Sequence, residues 1–172
     1  PYTHGDTVRV KADGRAAILH SDEPYDIIHM VHANLWSSAG LISSAWSPSL
    51  LETVEAFETY LEHLTDDGTI AFGRGMNTNA IARSAAEALR RRGVKKPWRH
   101  IAYARAGTAV LLVKKRPFTR AERDRVLELV KGYRPKARLV LDPMKRPKKA
   151  SQRALLRGAV MTDDRPYRDV PK

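Results

Sequence analysis

The chain has 172 residues, 42% of them apolar, enough for one domain with a real core. No apolar run approaches the ~20 residues that a bilayer span requires. Zero cysteines exclude disulfides and thiolate metal sites and fit a reducing compartment; the opening Pro1-Tyr2-Thr3-His4-Gly5-Asp6 is too polar for a secretory signal, so a cytoplasmic protein is expected.

The net charge of +12 is spread unevenly. Residues 21–75 are acidic on balance, whereas Arg90-Arg91-Arg92, Lys95-Lys96, Lys114-Lys115-Arg116 and 144–157 are basic. The last stretch carries Lys145, Arg146, Lys148, Lys149, Arg153 and Arg157 without an acid among them. Such runs suit a phosphate-rich partner, either nucleic acid or an anionic membrane surface. The plainer alternative is a solvated basic surface.

In chain order, Thr7-Val8-Arg9-Val10-Lys11 alternates and is β-branched, which predicts a short strand. Ala12-Asp13-Gly14-Arg15 is a turn into a helix over 16–19, and Ser21-Asp22-Glu23-Pro24 is a polar connector. Asp26 then opens the apolar run Ile27-Ile28-His29-Met30-Val31, short enough for a strand buried on both faces. A loop over 32–47, rich in Ser, Ala and Gly, carries Trp36 and Trp46. Ser47-Pro48 predicts a helix start, with Ser47 as N-cap and Pro48 in the first turn. Leu50, Leu51, Val54, Phe57, Leu61 and Leu64 recur at helical spacing, with Glu52, Glu55, Glu58 and Glu62 mostly opposite. Asp67-Gly68 stops this helix, and Thr69-Ile70-Ala71-Phe72 is a second buried strand, completing a parallel βαβ unit.

Beyond it, Asn77-Thr78-Asn79 caps a helix over 80–92, whose apolar stripe is Ile81, Ala85 and Leu89 and whose stop is Gly93. Residues 100–105 and 108–113 flank Ala106-Gly107 as an antiparallel hairpin. Thr119 with Glu122 forms a capping box for a helix that buries Val126, Leu127, Leu129 and Val130. A last strand over 137–141 precedes a basic tail with a helical stretch near 151–157. Parallel α/β ending in a hairpin suits the second half of a doubly wound sheet, whose ligands sit at the carboxyl edge of the strands. No glycine-rich strand-to-helix turn of the dinucleotide type is present, so a nucleotide-binding fold would have its first half outside this chain. The expected division is 1–143, a Rossmann-like domain portion, and 144–172, the basic tail.

Val8-Arg9-Val10 with Ala12-Asp13-Gly14-Arg15-Ala16 resembles the strand and acidic turn of spermidine synthase-like, S-adenosylmethionine-dependent transferases. Tyr25-Asp26-Ile27-Ile28, the loop Trp36-Ser37-Ser38-Ala39-Gly40 and Leu51-Glu52-Thr53-Val54-Glu55-Ala56-Phe57 resemble the next strand, gate loop and helix. Tyr60-Leu61-Glu62-His63-Leu64, Asp67-Gly68 and Arg74 continue the likeness. So do Ala88-Leu89 with Gly93, His100-Ile101, Lys115-Arg116-Pro117-Phe118-Thr119 and the ending Thr162-Asp163-Asp164-Arg165-Pro166-Tyr167. The resemblance covers nearly the whole chain and is nearer to the large bacterial members than to the compact polyamine-making enzymes.

It implies a Rossmann-like methyltransferase-type sheet, incomplete at its N-terminal half. It also implies S-adenosylmethionine or decarboxylated S-adenosylmethionine as cofactor and an amine or other nucleophilic acceptor. Transfer of a methyl or an aminopropyl group fits equally, and a homodimer is compatible. Asp13 and Gly14, with Arg15, stand where the family binds the adenine amino group. Asn34 stands where true aminopropyltransferases carry the aspartate that accepts the amine proton; an amide cannot act as that base. The second acid and the proline-glycine of that loop are also missing.

Among individual residues, Asp13 is the first cofactor contact, against a plain turn Asp. Asn34 is the substrate-side candidate, against a loop Asn capping its own backbone. Trp36 and Trp46 can wall a pocket or simply pack, with Ser37 beside Trp36. His32 can serve as a general base at the sheet edge. His29 and His32, three apart on a strand, face opposite sides and make poor joint metal ligands; His4, His20, His63 and His100 are scattered. Glu52 and Glu55 read as surface acids favoured by the helix dipole. The reading is a transferase portion; its rival is a non-catalytic module of the same fold that binds RNA or an acidic partner along 90–99 and 145–157.

Overall fold

The computed structural model describes residues 8, 10–31, 50–74, 78–106, 108–132 and 136–166. Strands β1 (Tyr25–Val31), β2 (Leu64–Arg74), β3 (Ile101–Ala106), β4 (Thr108–Lys114) and β5 (Arg138–Leu141) form one sheet in the order β1-β2-β4-β3-β5. The helices are α1 (Gly14–Leu19), α2 (Val54–Glu62), α3 (Thr78–Arg91), α4 (Arg120–Gly132) and α5 (Ala150–Ala154), with a short 3-10 turn at Pro97–His100. β1 and β2 pair in parallel across α2, as expected, and every other pairing is antiparallel. The predicted hairpin is β3 and β4, which pair from Ile101↔Val113 to Ala106↔Thr108.

Local chemistry explains the element ends. Thr119 and Glu122 make the expected capping box: the Thr119 N–H donates to Glu122 Oε2 (2.7 Å) and the Glu122 N–H to Thr119 Oγ1 (3.3 Å). Gly93 closes α3 at φ +83, its N–H donating to the Arg90 carbonyl while Val94 N–H reaches Leu89 O. The Tyr25 N–H donates to the His63 carbonyl (2.7 Å), fixing the end of α2 beside the start of β1.

Phe57, Tyr60, Leu61, Ile70, Ile81, Leu89, Ile101 and Leu111 form the core, with the Phe57 ring 5.3 Å from Phe72 and edge-on to Tyr60 at 5.9 Å. α3 buries more than the expected stripe, adding Ala80, Ala82, Ser84, Ala86 and Ala88. Those small side chains let it lie close to both α2 and the sheet. The segment after β5 packs onto the same core through Leu155, Leu156 and Met161.

Several expectations are corrected. α2 begins at Val54, with Thr53 as N-cap accepting from the Ala56 N–H (3.2 Å). Leu50 and Leu51 are in a turn ahead of it, and Ser47 and Pro48 lie outside the described residues. β2 starts at Leu64, so Asp67-Gly68 sits in an irregular stretch of strand: one step from Tyr25 to Ile27 spans Leu64 to Thr69 opposite. Among the described residues β1 is an edge strand with only one face covered, leaving Ile27 66% exposed while Ile28 is buried. Val8 and Val10 are exposed and, among the described residues, no strand contains them. α4 packs chiefly on the edge strand β5, so Val126, Leu127 and Val130 are only half-buried and Leu129 is exposed.

Gly68 is confined by backbone. A Cβ there would stand 2.9 Å from the Tyr25 carbonyl and 2.9 Å from Leu64 Cδ2, whereas at Gly93 nothing lies within 4 Å. Gly93→Ala should therefore cost about 1 kcal/mol through its left-handed φ alone. Gly68→Ala should cost more, roughly 2–3 kcal/mol, because main chain must move. Urea denaturation of the two variants checks the order.

Candidate functional site

β1 runs into the 32–49 connection and β2 into 75–77, so both carboxyl ends reach one edge of the sheet. α2 runs back from that edge to the start of β2, which places its N-terminus there. Three sequence-distant pieces meet at this N-terminus: the turn into α1, residues 50–53, and the turn at 162–165.

Arg15 and Asp163 join them. Arg15 Nη1 lies 2.8 and 2.9 Å from the two Asp163 carboxylate oxygens and 3.4 Å from the Leu50 carbonyl. Thr53 Oγ1 donates to Asp163 Oδ1 (2.6 Å), and the Asp163 N–H donates to Glu55 Oε2 (3.0 Å). Thr162 and Arg165 exchange backbone hydrogen bonds (3.2 and 3.0 Å), a tight turn that presents Asp163 to the cluster. Burial works against the Asp163 charge, but hydrogen bonds from Arg15 and Thr53, with the Arg15 charge, hold its carboxyl below the ordinary aspartate range.

Beneath this node Tyr60 is fully buried and donates to the Leu51 carbonyl (3.1 Å). Burial pushes its hydroxyl well above the ordinary tyrosine value, against the opposing Arg15 charge and with help from Asp13, Glu52 and Asp163. It stays a neutral donor. Glu52, expected on the surface, is only 2% exposed, because the turn before α2 folds it inward next to Thr53. Glu55 keeps a half-buried position, pairing with Arg91 of α3 (3.1 Å).

Of the residues that the sequence singled out, Asp13, Gly14 and Arg15 stand at this node. Asp13 is exposed and caps α1, its Oδ1 accepting from the Arg15 N–H (3.0 Å) and the Ala16 N–H (3.1 Å). Its Oδ2 accepts no hydrogen bond from the described residues. Among the described residues a Cβ on Gly14 would meet only Leu51 Cδ2, at 4.0 Å. The Arg15 guanidinium pairs with Asp163 through Nη1. Asn34, His32, Trp36 and Ser37 lie outside the described residues. Among the described residues no group of His, Cys, Asp and Glu could hold a metal ion, and no helix is long and apolar enough to cross a membrane. His100 is buried against the Lys114 carbonyl (3.2 Å), its pKa depressed by desolvation, and it is remote from this edge.

Asp163, Thr53, Glu52 and Tyr60 were not recognisable as one cluster from the sequence. The signal was the Thr162 to Pro166 motif itself, but its partner Arg15 lies 148 positions away.

In comparison with known proteins, the chain is similar to the crystal structure of a probable spermidine synthase from Corynebacterium glutamicum ATCC 13032. The TM-score is 0.52 and the identity 17%, over 77% of this chain and 47% of that one. The likeness is one of fold. This chain spans about half the length of that protein. No family model and no curated protein matches it.

Asp163→Asn should lower stability at neutral pH by about 1 kcal/mol, the range for a partly exposed ion pair. Because the folded carboxyl titrates below its unfolded value, that contribution is present above the unfolded pKa and is lost as pH falls through the folded one. Urea midpoints of parent and variant should differ at neutral pH and converge in strong acid.

Proposed function

We propose that this chain is the carboxyl-terminal part of a spermidine synthase-like transferase domain, using S-adenosylmethionine or decarboxylated S-adenosylmethionine to alkylate a nucleophilic acceptor. The observation that carries the reading is the position of Asp13-Gly14 at the carboxyl edge of a parallel βαβ unit, within a fold similar to a probable spermidine synthase. The sheet order supports it as well: the antiparallel hairpin closes one side, while β1 stays open on the other, where the first half of a doubly wound sheet would pair.

In this reading the free Asp13 Oδ2 accepts from the adenine amino group and the bare Gly14 backbone allows the ring to approach. Arg15 is a positioning residue, holding the turn to Asp163. The bound cofactor supplies an electrophilic sulfonium carbon. Catalysis by the protein is then mostly orientation of the acceptor. Asn34, Trp36 and Ser37, in the stretch that follows β1 in sequence, are assigned to the acceptor by the family resemblance. His32 is the proton acceptor of this stretch, since Asn34 cannot be one. Whether methyl or aminopropyl is transferred follows from which form of the cofactor binds.

Calorimetric titration with S-adenosylmethionine, its decarboxylated form and methylthioadenosine tests the reading. The 172-residue chain alone should bind weakly or not at all, because only the adenine side of the pocket belongs to it. In a longer protein containing it, Asp13→Ala should weaken nucleotide binding about tenfold, as expected for losing a charged hydrogen-bond acceptor. Tight binding by the 172-residue chain, or indifference of the longer protein to Asp13→Ala, would contradict it.

A further inference from the structure

The opposite, amino edge of the sheet has a different chemistry. α3 runs down to it from the carboxyl edge, β3 starts at it, and β5, antiparallel to β3, ends at it. Consequently Arg92, Lys95, Lys96 and Arg99 from one stretch of chain share this end with Lys145, Arg146, Lys148 and Lys149 from another. The Arg90 guanidinium donates to the Leu156 carbonyl, which brings Arg157 to the end of α3 as well. All of these except Arg90 are exposed.

Acids are either at the far end of this edge or already paired, Asp142 with Arg123 and Lys145, Glu122 with Lys114 and Asp124 with Arg123. Asp22, Glu23, Asp26, Glu62, Asp66 and Asp67 lie at the β1–β2 end of the same edge, where Asp66 and Asp67 pair with Arg116. Arg91 is paired with Glu55 and Glu58, and Lys145 with Asp142. No ion pair with a described residue engages Arg92, Lys95, Lys96, Arg99, Arg146, Lys148, Lys149 or Arg157. Trp98, between these cations in sequence, is half-buried and packs against the core.

We infer that the β3–β5 end of the amino edge, built from 92–99 and 145–157, is a binding surface for single-stranded nucleic acid. Unpaired Lys and Arg along a surface attract a phosphate backbone, and a flexible single strand can follow cations drawn from two stretches of chain. An anionic membrane is the less suited partner. Among the described residues, none of the exposed large apolar side chains belongs to 92–99 or 145–157, so those stretches offer no such side chain to insert beneath lipid headgroups. The surface is independent of the cofactor site, at the other edge of the sheet.

Fluorescence anisotropy with a labelled single-stranded RNA of about 16 nucleotides, the upper range of a single binding site, tests this. A Lys95→Gln, Lys96→Gln, Arg99→Gln, Arg157→Gln variant should bind at least ~10-fold more weakly than the parent. Its log–log salt slope should be shallower by roughly 3, about 0.7 for each single-strand phosphate that the variant leaves without a cation. Lys131→Gln with Arg138→Gln, at the opposite edge, should bind within about twofold of the parent, and unchanged thermal melting of both variants checks their folding. Equal binding by the two variants overturns the inference. So does binding to phosphatidylserine vesicles without binding to the RNA.

Discussion

The carboxylate of Asp163 is the interaction on which the arrangement of the carboxyl edge around α1 depends. It takes Arg15 from the first helix and Thr53 from the cap of the crossover helix, and its own N–H is held by Glu55. Besides this pair, α1 is held by partly buried side chains, Ile18 among them, packed against the core and α2. That helix has six residues, none of them fully buried, and a helix so short is not stable on propensity alone. The ion pair thus does at the surface what the core does elsewhere: it decides where a segment lies.

The consequence for function is positional. α2 must cross from the carboxyl end of β1 to the amino end of β2, so its N-terminus is fixed at the carboxyl edge. Whatever is tied to that N-terminus is tied to the carboxyl edge as well. Thr53 is occupied twice, capping Ala56 and donating to Asp163, so a single residue couples the start of the helix to the turn at 162–165. The acidic turn at Asp13 then faces the same edge as the connection after β1. The two edges of the sheet divide the work proposed for the molecule, with small-molecule chemistry at one and a polyanion at the other.

Much of the frame was legible because its signals are local. The hairpin, the Thr119–Glu122 box and the glycine stop at Gly93 each involve neighbours in sequence, and each folds as its pattern implies. Boundaries were less legible. Leu50 and Leu51 extend the helical period past the point where Thr53 caps the helix, since period marks a face and not an end. Exposure was harder still: Ile27 reads as core, yet it faces out because, among the described residues, β1 is at an edge with one face covered. Glu52 reads as surface and is buried by a turn that no periodicity encodes. The Arg15–Asp163 pair was illegible for a simpler reason, the length of chain between its partners, although both residues lie in segments that the family resemblance marked. The basic runs were visible, but only the antiparallel path of β5 brings them to one end of the sheet.

The most direct measurement is amide hydrogen exchange by NMR on the 172-residue chain and its Asp163→Asn variant. The Ala17 and His20 amides, which donate to Asp13 O and Ala16 O, report on α1. If Asp163 holds α1 at the carboxyl edge, their protection should collapse in the variant while amides of β2, β4 and α3 keep theirs. Unchanged protection at Ala17 and His20 would contradict the account, because α1 would then be held by something other than the carboxylate.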